Sequence, residues 1–163
     1  MALSVGKQFE DDWEKSVPDT CYIYRFKDSP TSFIKVDNVK FTPSNISDYL
    51  MFDDITRTLY FVELKTTKGA SLPLSNVREE QIKQLTKASK HNLVAGLVIN
   101  FRERKNYTIF VDIQTFNKMR KEINKKSFNI IDFTNYGCTP IDSELKRVHY
   151  RYDIKGFVNK IHK

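Results

Sequence analysis

The sequence predicts an α/β fold, one mixed sheet flanked by helices with a short β-hairpin arm. Three observations carry this. Short alternating or apolar runs at 20–27, 47–52, 58–65, 93–101 and 107–113 have the length and pattern of strands. Segments at 4–17, 76–90 and 115–126 place apolar residues at helical spacing. With 163 residues, 40% apolar, 12 Phe and 8 Tyr, the chain can bury one core. A single domain over 1–163 is expected, since no repeat, low-complexity linker or boundary interrupts it.

The elements follow in order. Ser4 caps the first helix, Phe9, Trp13 and Val17 recur along one face, and Pro18 stops it. The strand Thr20–Lys27 sets Tyr22, Tyr24 and Phe26 on one side. Residues 33–42, FIKVDNVKFT, are nearly palindromic about Asp37-Asn38, the signature of a hairpin with a two-residue turn. That pairing sets Lys35 opposite Lys40, and the two repel unless water or an anion lies between them. Ser47–Phe52 and Thr58–Lys65 form two strands around a turn holding Asp53, Asp54 and Arg57. A loop spans 66–75. Asn76 opens a helix to about Lys90, with Glu79 completing a capping box. The apolar run Leu93–Phe101 reads as a buried central strand, followed by a turn at Glu103–Asn106 and a strand at Tyr107–Ile113. Thr115–Lys126 is amphipathic, with Phe116, Met119 and Ile123 inward. The tail 127–163 is mixed, with an apolar stretch at 128–133 and a turn at 136–140.

Composition narrows the function. Residues 1–60 carry 7 basic and 10 acidic side chains, net −3, whereas residues 61–163 carry 20 and 10, net +10. A basic body with an acidic front suits phosphate binding, the carboxylates being kept for another task. No apolar run reaches the ~18 residues of a membrane helix, and the N-terminus meets charge too early for a secretory signal. Cys21 and Cys138 match no zinc spacing and fit a reducing, cytoplasmic setting. His91, His149 and His162 show no metal-like spacing and read as surface residues.

The chemistry concentrates in the middle of the chain. In Thr58–Lys65, Leu59, Phe61, Glu63 and Lys65 share one face. Asp48 opens the preceding strand, so an antiparallel turn brings it beside Glu63, with Lys65 adjacent. Two carboxylates and an ammonium suit metal-dependent phosphodiester hydrolysis. Asp48 and Glu63 hold Mg²⁺, with Mn²⁺ as the substitute, and Lys65 orients water or steadies charge on the phosphate. E-x-K also occurs at 103–105 and 144–146, but in a turn and an irregular tail.

These residues resemble the PD-(D/E)xK nuclease superfamily. More narrowly, the chain is similar to RecU-type Holliday-junction resolvases, including phage-encoded forms. The resemblance runs through GKQFE at 6–10, SDY at 47–49, FVELKTTKGASLPLSN at 61–76, EEQI at 79–82, KSFNIIDFTNYGCTPI at 126–141 and YRYDI at 150–154. It implies a restriction-endonuclease-like sheet and a homodimer acting on four-way or branched DNA in a bacterial cell or phage-infected host. Glu10 then carries over as an acid from the first helix, Gln81 as a supporting active-site residue, and Thr67 as a phosphate contact. The family's arm corresponds to about 29–46, shortened here. Its Lys35 and Lys40 would probe the junction centre, with Phe33 or Phe41 wedging against bases. Lys68, Lys83, Lys87, Lys90 and the helix at 118–126 would line the DNA face. Two rival readings are another nuclease of the superfamily, restriction-type or flap-processing, and a non-catalytic, structure-selective DNA-binding protein.

Overall fold

In the computed structural model, which describes residues 4–27 and 45–163, Ser4 Oγ accepts from Lys7 N–H at 3.2 Å and opens helix α1 (Val5–Glu14). Then come β1 (Cys21–Arg25), β2 (Tyr49–Asp53), β3 (Thr58–Thr67) and the short β4 (Ser71–Pro73). A 3₁₀ turn, Leu74–Asn76, leads into α2 (Glu79–Ser89). The chain continues through β5 (Val94–Phe101), β6 (Tyr107–Asp112), α3 (Ile113–Glu122), β7 (Ser127–Asn129) and α4 (Ile130–Asn135). It ends with β8 (Thr139–Ile141), β9 (Ser143–Lys146), β10 (His149–Tyr152) and α5 (Ile154–Ile161). The hairpin expected at 33–42, with Phe33, Lys35, Lys40 and Phe41, lies outside the described residues, as does the arm up to residue 44.

Among the described residues the main sheet runs β1-β2-β3-β5-β6-β8. β3 and β5 are parallel and every other pair is antiparallel, so the sheet is mixed. Alternation along β3 and β5 sends side chains into two cores. One holds Leu97, Ile99 and Phe101 against Leu85 of α2 and Phe116 and Met119 of α3. The other holds Tyr60, Val62, Leu64 and Val98 against Phe9 and Trp13 of α1 and Phe157 of α5. Gly96 sits where a Cβ would run into Val111 O and the Phe110 ring, so β5 and β6 approach closely only because that side chain is missing.

Several local expectations are corrected. Asn76 does not cap α2. Val77 is extended and buried, so the helix starts after Arg78, and Val77 and Ile82 take the N′ and N4 positions of a hydrophobic staple. Helix α3 begins two residues early because Asp112 caps it directly from β6, accepting from Gln114 N–H at 2.8 Å. The 66–75 loop contains β4, which pairs with β7. Asp53 ends β2 rather than lying in the turn, and its Oδ2 accepts from Thr56 N–H and Oγ1–H, both at 2.6 Å. The 144–146 segment is strand, not irregular tail. Two histidines do structural work. His149 Nδ1 lies 2.7 Å from the buried Asp12 Oδ1, and His162 Nε2 lies 2.7 Å from Tyr60 Oη. No helix among the described residues is long and apolar enough to cross a membrane.

Candidate active site

Strand β3 runs from an apolar start into a charged end. Its parallel neighbour β5 supports it through Glu63↔Leu97 and Lys65↔Ile99. Both side chains therefore lie on the α2 side of the sheet. Glu63 is buried, and Lys65 Nζ meets its Oε1 at 2.8 Å.

Gln81 comes from the first turn of α2 and is also buried. Its Nε2 donates to Glu63 Oε1. Its Oε1 accepts from Lys65 Nζ at 3.3 Å and from Arg78 N–H at 3.2 Å. One amide thus binds the carboxylate, the ammonium and the helix start together. Burying Glu63 without these donors would be costly; with them its charge is matched.

Asp48 stands one residue before β2. Tyr49 pairs with Val62, so Asp48 falls opposite Glu63. Asp48 Oδ2 accepts at 2.7 Å from the amide that joins Glu63 to Leu64. This bond fixes one oxygen of the carboxylate at the lip of the site.

Glu10 is held elsewhere, by Arg25 Nη2 at 2.5 Å and Lys7 Nζ at 3.7 Å. Arg25 pairs with Tyr49, and Phe26 N–H donates to Asp48 O at 2.9 Å, so Glu10 stands on the Asp48 flank. Thr67 Oγ1 donates to Ser71 O at 3.1 Å and ties the turn after β3. Lys68 is exposed in that turn, and Lys83 and Lys87 are exposed on α2. Lys35 and Lys40 lie outside the described residues.

The donor set fits a hard divalent ion. Such ions bind through one or two carboxylates and keep water and substrate oxygens for the rest of their shell. Asp48 and Glu63 supply two. Among the described residues, no three His, Cys, Asp or Glu side chains form a ready-made cage. The thiols take no part. Burial and then the Asp53 bond push Cys21 up to about 11, and burial pushes Cys138 up to about 12.

Sequence reasoning missed the Asn100–Asn106 network just beyond this site. Asn100 Nδ2 donates to Asn106 Oδ1 and Thr108 Oγ1, each at 2.9 Å, and Thr66 Oγ1 donates to Asn100 Oδ1 at 3.3 Å. An asparagine one residue before the end of an otherwise apolar strand was the available signal.

The SPbeta prophage-derived uncharacterized protein YotM of Bacillus subtilis (strain 168) is 30% identical to this chain, over 98% of the chain and 86% of that protein. A similar solved structure is Hjc, a Holliday junction resolvase from the archaeal hyperthermophile Archaeoglobus fulgidus. It is 18% identical, with a TM-score of 0.49, and the match spans 80% of this chain and 93% of that one. The family described as Recombination protein U, RecU, matches residues 19–155. The chain therefore belongs to the RecU family.

Proposed function

We propose that this chain is an endonuclease that resolves Holliday junctions by hydrolysing one phosphodiester in each of two symmetry-related strands. Membership of the RecU family supports the reading. The single observation that carries it in the structure is the Glu63–Lys65–Gln81 cluster facing Asp48 at the end of β3.

Asp48 and Glu63 would hold Mg²⁺, or Mn²⁺ in its place. Held by these two carboxylates, a divalent ion would supply polarisation of the scissile phosphate and a more acidic water. Lys65 stabilises charge that grows on the phosphate oxygens, and it balances Glu63 until substrate arrives. Gln81 keeps the carboxylate and ammonium in register. Glu10, on the Asp48 flank, holds Arg25 and sets the charge along that edge. Thr67, Lys68, Lys83 and Lys87 contact the backbone of the branched DNA, with Lys35 and Lys40 at the junction centre.

A four-way junction offers two equivalent strands, so a C2 homodimer presents one site to each. The work belongs inside a bacterial cell or a phage-infected host, in keeping with a prophage-derived relative.

The test is cleavage of a synthetic four-way junction against a linear duplex of the same sequence, with Mg²⁺, Mn²⁺ or EDTA. Paired nicks in the junction with either metal, and none in EDTA, are expected. Asp48→Asn and Glu63→Gln should each lower the rate by about 10²–10³-fold or more while junction binding survives. Equal cutting of the linear duplex would point to a restriction-type enzyme. Binding without cutting would point to a structural DNA-binding protein.

A further inference from the structure

We propose that the β9–β10 hairpin and the β5–β6 turn together grip the phosphate backbone of a duplex arm leading away from the cleavage site. This second contact rests on the junction-cutting role argued above and extends the DNA path to the opposite layer of the sheet.

Both turns hold long polar side chains in a conformation that favours glycine. Arg147 has φ 59° in the hairpin turn, and Lys105 and Asn106 have φ 53° and 56° in the other. Left-handed backbone at a bulky residue carries a cost and persists where the surrounding structure over-determines it. At these tips Arg104, Lys105 and Arg147 are exposed. None of the three makes a salt bridge among the described residues. Beside Arg147, Leu145 is 55% and Val148 69% exposed, so the hairpin ends in an apolar pair framed by cations.

The two turns are locked to each other. The Arg102 guanidinium lies over the Tyr150 ring, 4.9 Å from its centre, and donates to Asn106 Oδ1 at 3.1 Å. Asn106 Nδ2 donates to Ser143 Oγ at 3.0 Å and Tyr152 Oη at 3.3 Å, across the hairpin's open end. Asn100 and Asn106 are fully buried, and their mutual bond ties the assembly to β5. The cations therefore ride on a rigid mount, which lowers the ordering cost of binding.

Position links this mount to the active site. Thr66 pairs with Asn100, and Arg102 N–H donates to Thr67 O at 2.9 Å, so the β5–β6 turn adjoins the end of β3 just past Lys65. At the hairpin tip, Gln8 Nε2 donates to Val148 O at 3.2 Å. Of the acids nearby, Glu144 is occupied by Lys146, Asp12 by His149, and Asp11 by Lys7. Glu103 also faces water in the β5–β6 turn, so Arg104, Lys105 and Arg147 leave this edge net positive rather than free of acids. Rigid cations at fixed spacing suit a regular polyanion, and the Leu145–Val148 pair suits the sugar edge of a groove.

The test uses the full chain and the variant Arg104→Gln/Lys105→Asn/Arg147→Asn. Asparagine tolerates the left-handed backbone at 105 and 147, so folding should hold, and a thermal melt checks it. Fluorescence anisotropy in EDTA measures binding to junctions with long and with clipped arms across a KCl series. On the long-armed junction the variant should bind about tenfold or more weakly, with the log–log salt slope reduced by about 2–3. On the clipped junction the loss should be much smaller. An unchanged slope and affinity on long arms, in a protein whose unaltered form still cuts junctions with Mg²⁺, overturns the grip alone. An equal loss on long and clipped arms also overturns it. No junction binding or cutting by the unaltered chain overturns the functional reading as well.

Discussion

A single amide organises the centre of this protein. Gln81 donates to Glu63 and accepts from Lys65, so it sets where the carboxylate and the ammonium stand relative to each other. In the proposed mechanism it is a positioning residue, because it touches Glu63 and Lys65 rather than the substrate. Replacing such partners costs about 10–100-fold in metal affinity or activity. Gln81→Ala is therefore expected to slow junction cleavage by that factor and to raise the Mg²⁺ concentration needed for half-maximal rate. Binding of the junction in EDTA should hardly change. Single-turnover cleavage across a Mg²⁺ titration measures this. A normal rate and midpoint would reduce Gln81 to a cap for α2. The placement of Glu63 and Lys65 in the candidate site was legible in the sequence because they interrupt an alternating apolar strand, a local pattern. Asp48 could be placed by the same pattern, since antiparallel register fixes what lies opposite. Glu10 was not placed by pattern, and its bond to Arg25 depends on how α1 packs against β1.

At the scale of elements, sequence reading succeeded where one face is apolar and failed where caps or distant partners decide. β5 and β6 announce themselves by composition. The start of α2 does not, because burying Val77 delays the helix past the plausible cap at Asn76. The tail was harder still. β4 and β7 pair three residues each across a gap of more than fifty, and no local signal records that. Helix α4 is short and leans on a capping box at its start. Asn129 Oδ1 accepts from Asp132 N–H, and Asp132 Oδ2 accepts from Asn129 N–H, both at 2.9 Å. Lys125 Nζ adds a bond to Asp132 Oδ1 at 2.6 Å. Burial works against the Asp132 charge, but Lys125 and the Asn129 N–H outweigh it and hold the carboxyl below its ordinary value. A depressed acid stabilises the fold fully above its unfolded pKa, near 3.9, and that contribution fades as pH falls through the folded value. Asp132→Asn should thus cost about 1 kcal/mol near neutrality, or roughly 2–4 °C in melting temperature. Below about pH 4 the difference from wild type should close. Melts at neutral and acid pH measure it, and a gap constant with pH would mean the carboxylate charge is not what Asp132 contributes.

For the whole molecule, the sheet is a partition. One layer, α2 and α3, sets Gln81 of α2 against Glu63; the other, α1, α5 and the β9–β10 hairpin, closes the far side. That second layer is what the sequence left least visible, because its contacts join residues far apart in the chain. Asp12 meets His149 across 137 positions and Tyr60 meets His162 across 102. Phe157 is its keystone: fully buried on α5, with ring centres 5.0 Å from Phe110, 6.2 Å from Tyr60 and 6.4 Å from Trp13. It thus joins β3, β6 and α1, three elements that share no neighbouring sequence. Removing a buried phenylalanine costs about 3–5 kcal/mol, against a total stability of about 5–15 kcal/mol for a native protein. Phe157→Ala should lower the melting temperature by roughly 6–20 °C. Since α1 carries Glu10 and, with Ser16 just past its end, braces the hairpin through Asp12, Ser16 and Gln8, loosening α5 should also weaken junction binding and lower its salt dependence before the protein melts, because phosphate contacts from the hairpin are lost. The Asp48–Glu63 pairing, built on the sheet itself, should persist. Thermal denaturation together with cleavage measured well below the transition separates these effects. A melting shift under about 2 °C would mean that α5 lies outside the cooperative core. A cleavage rate lost in step with no change in melting would mean that the far layer reaches the acids directly.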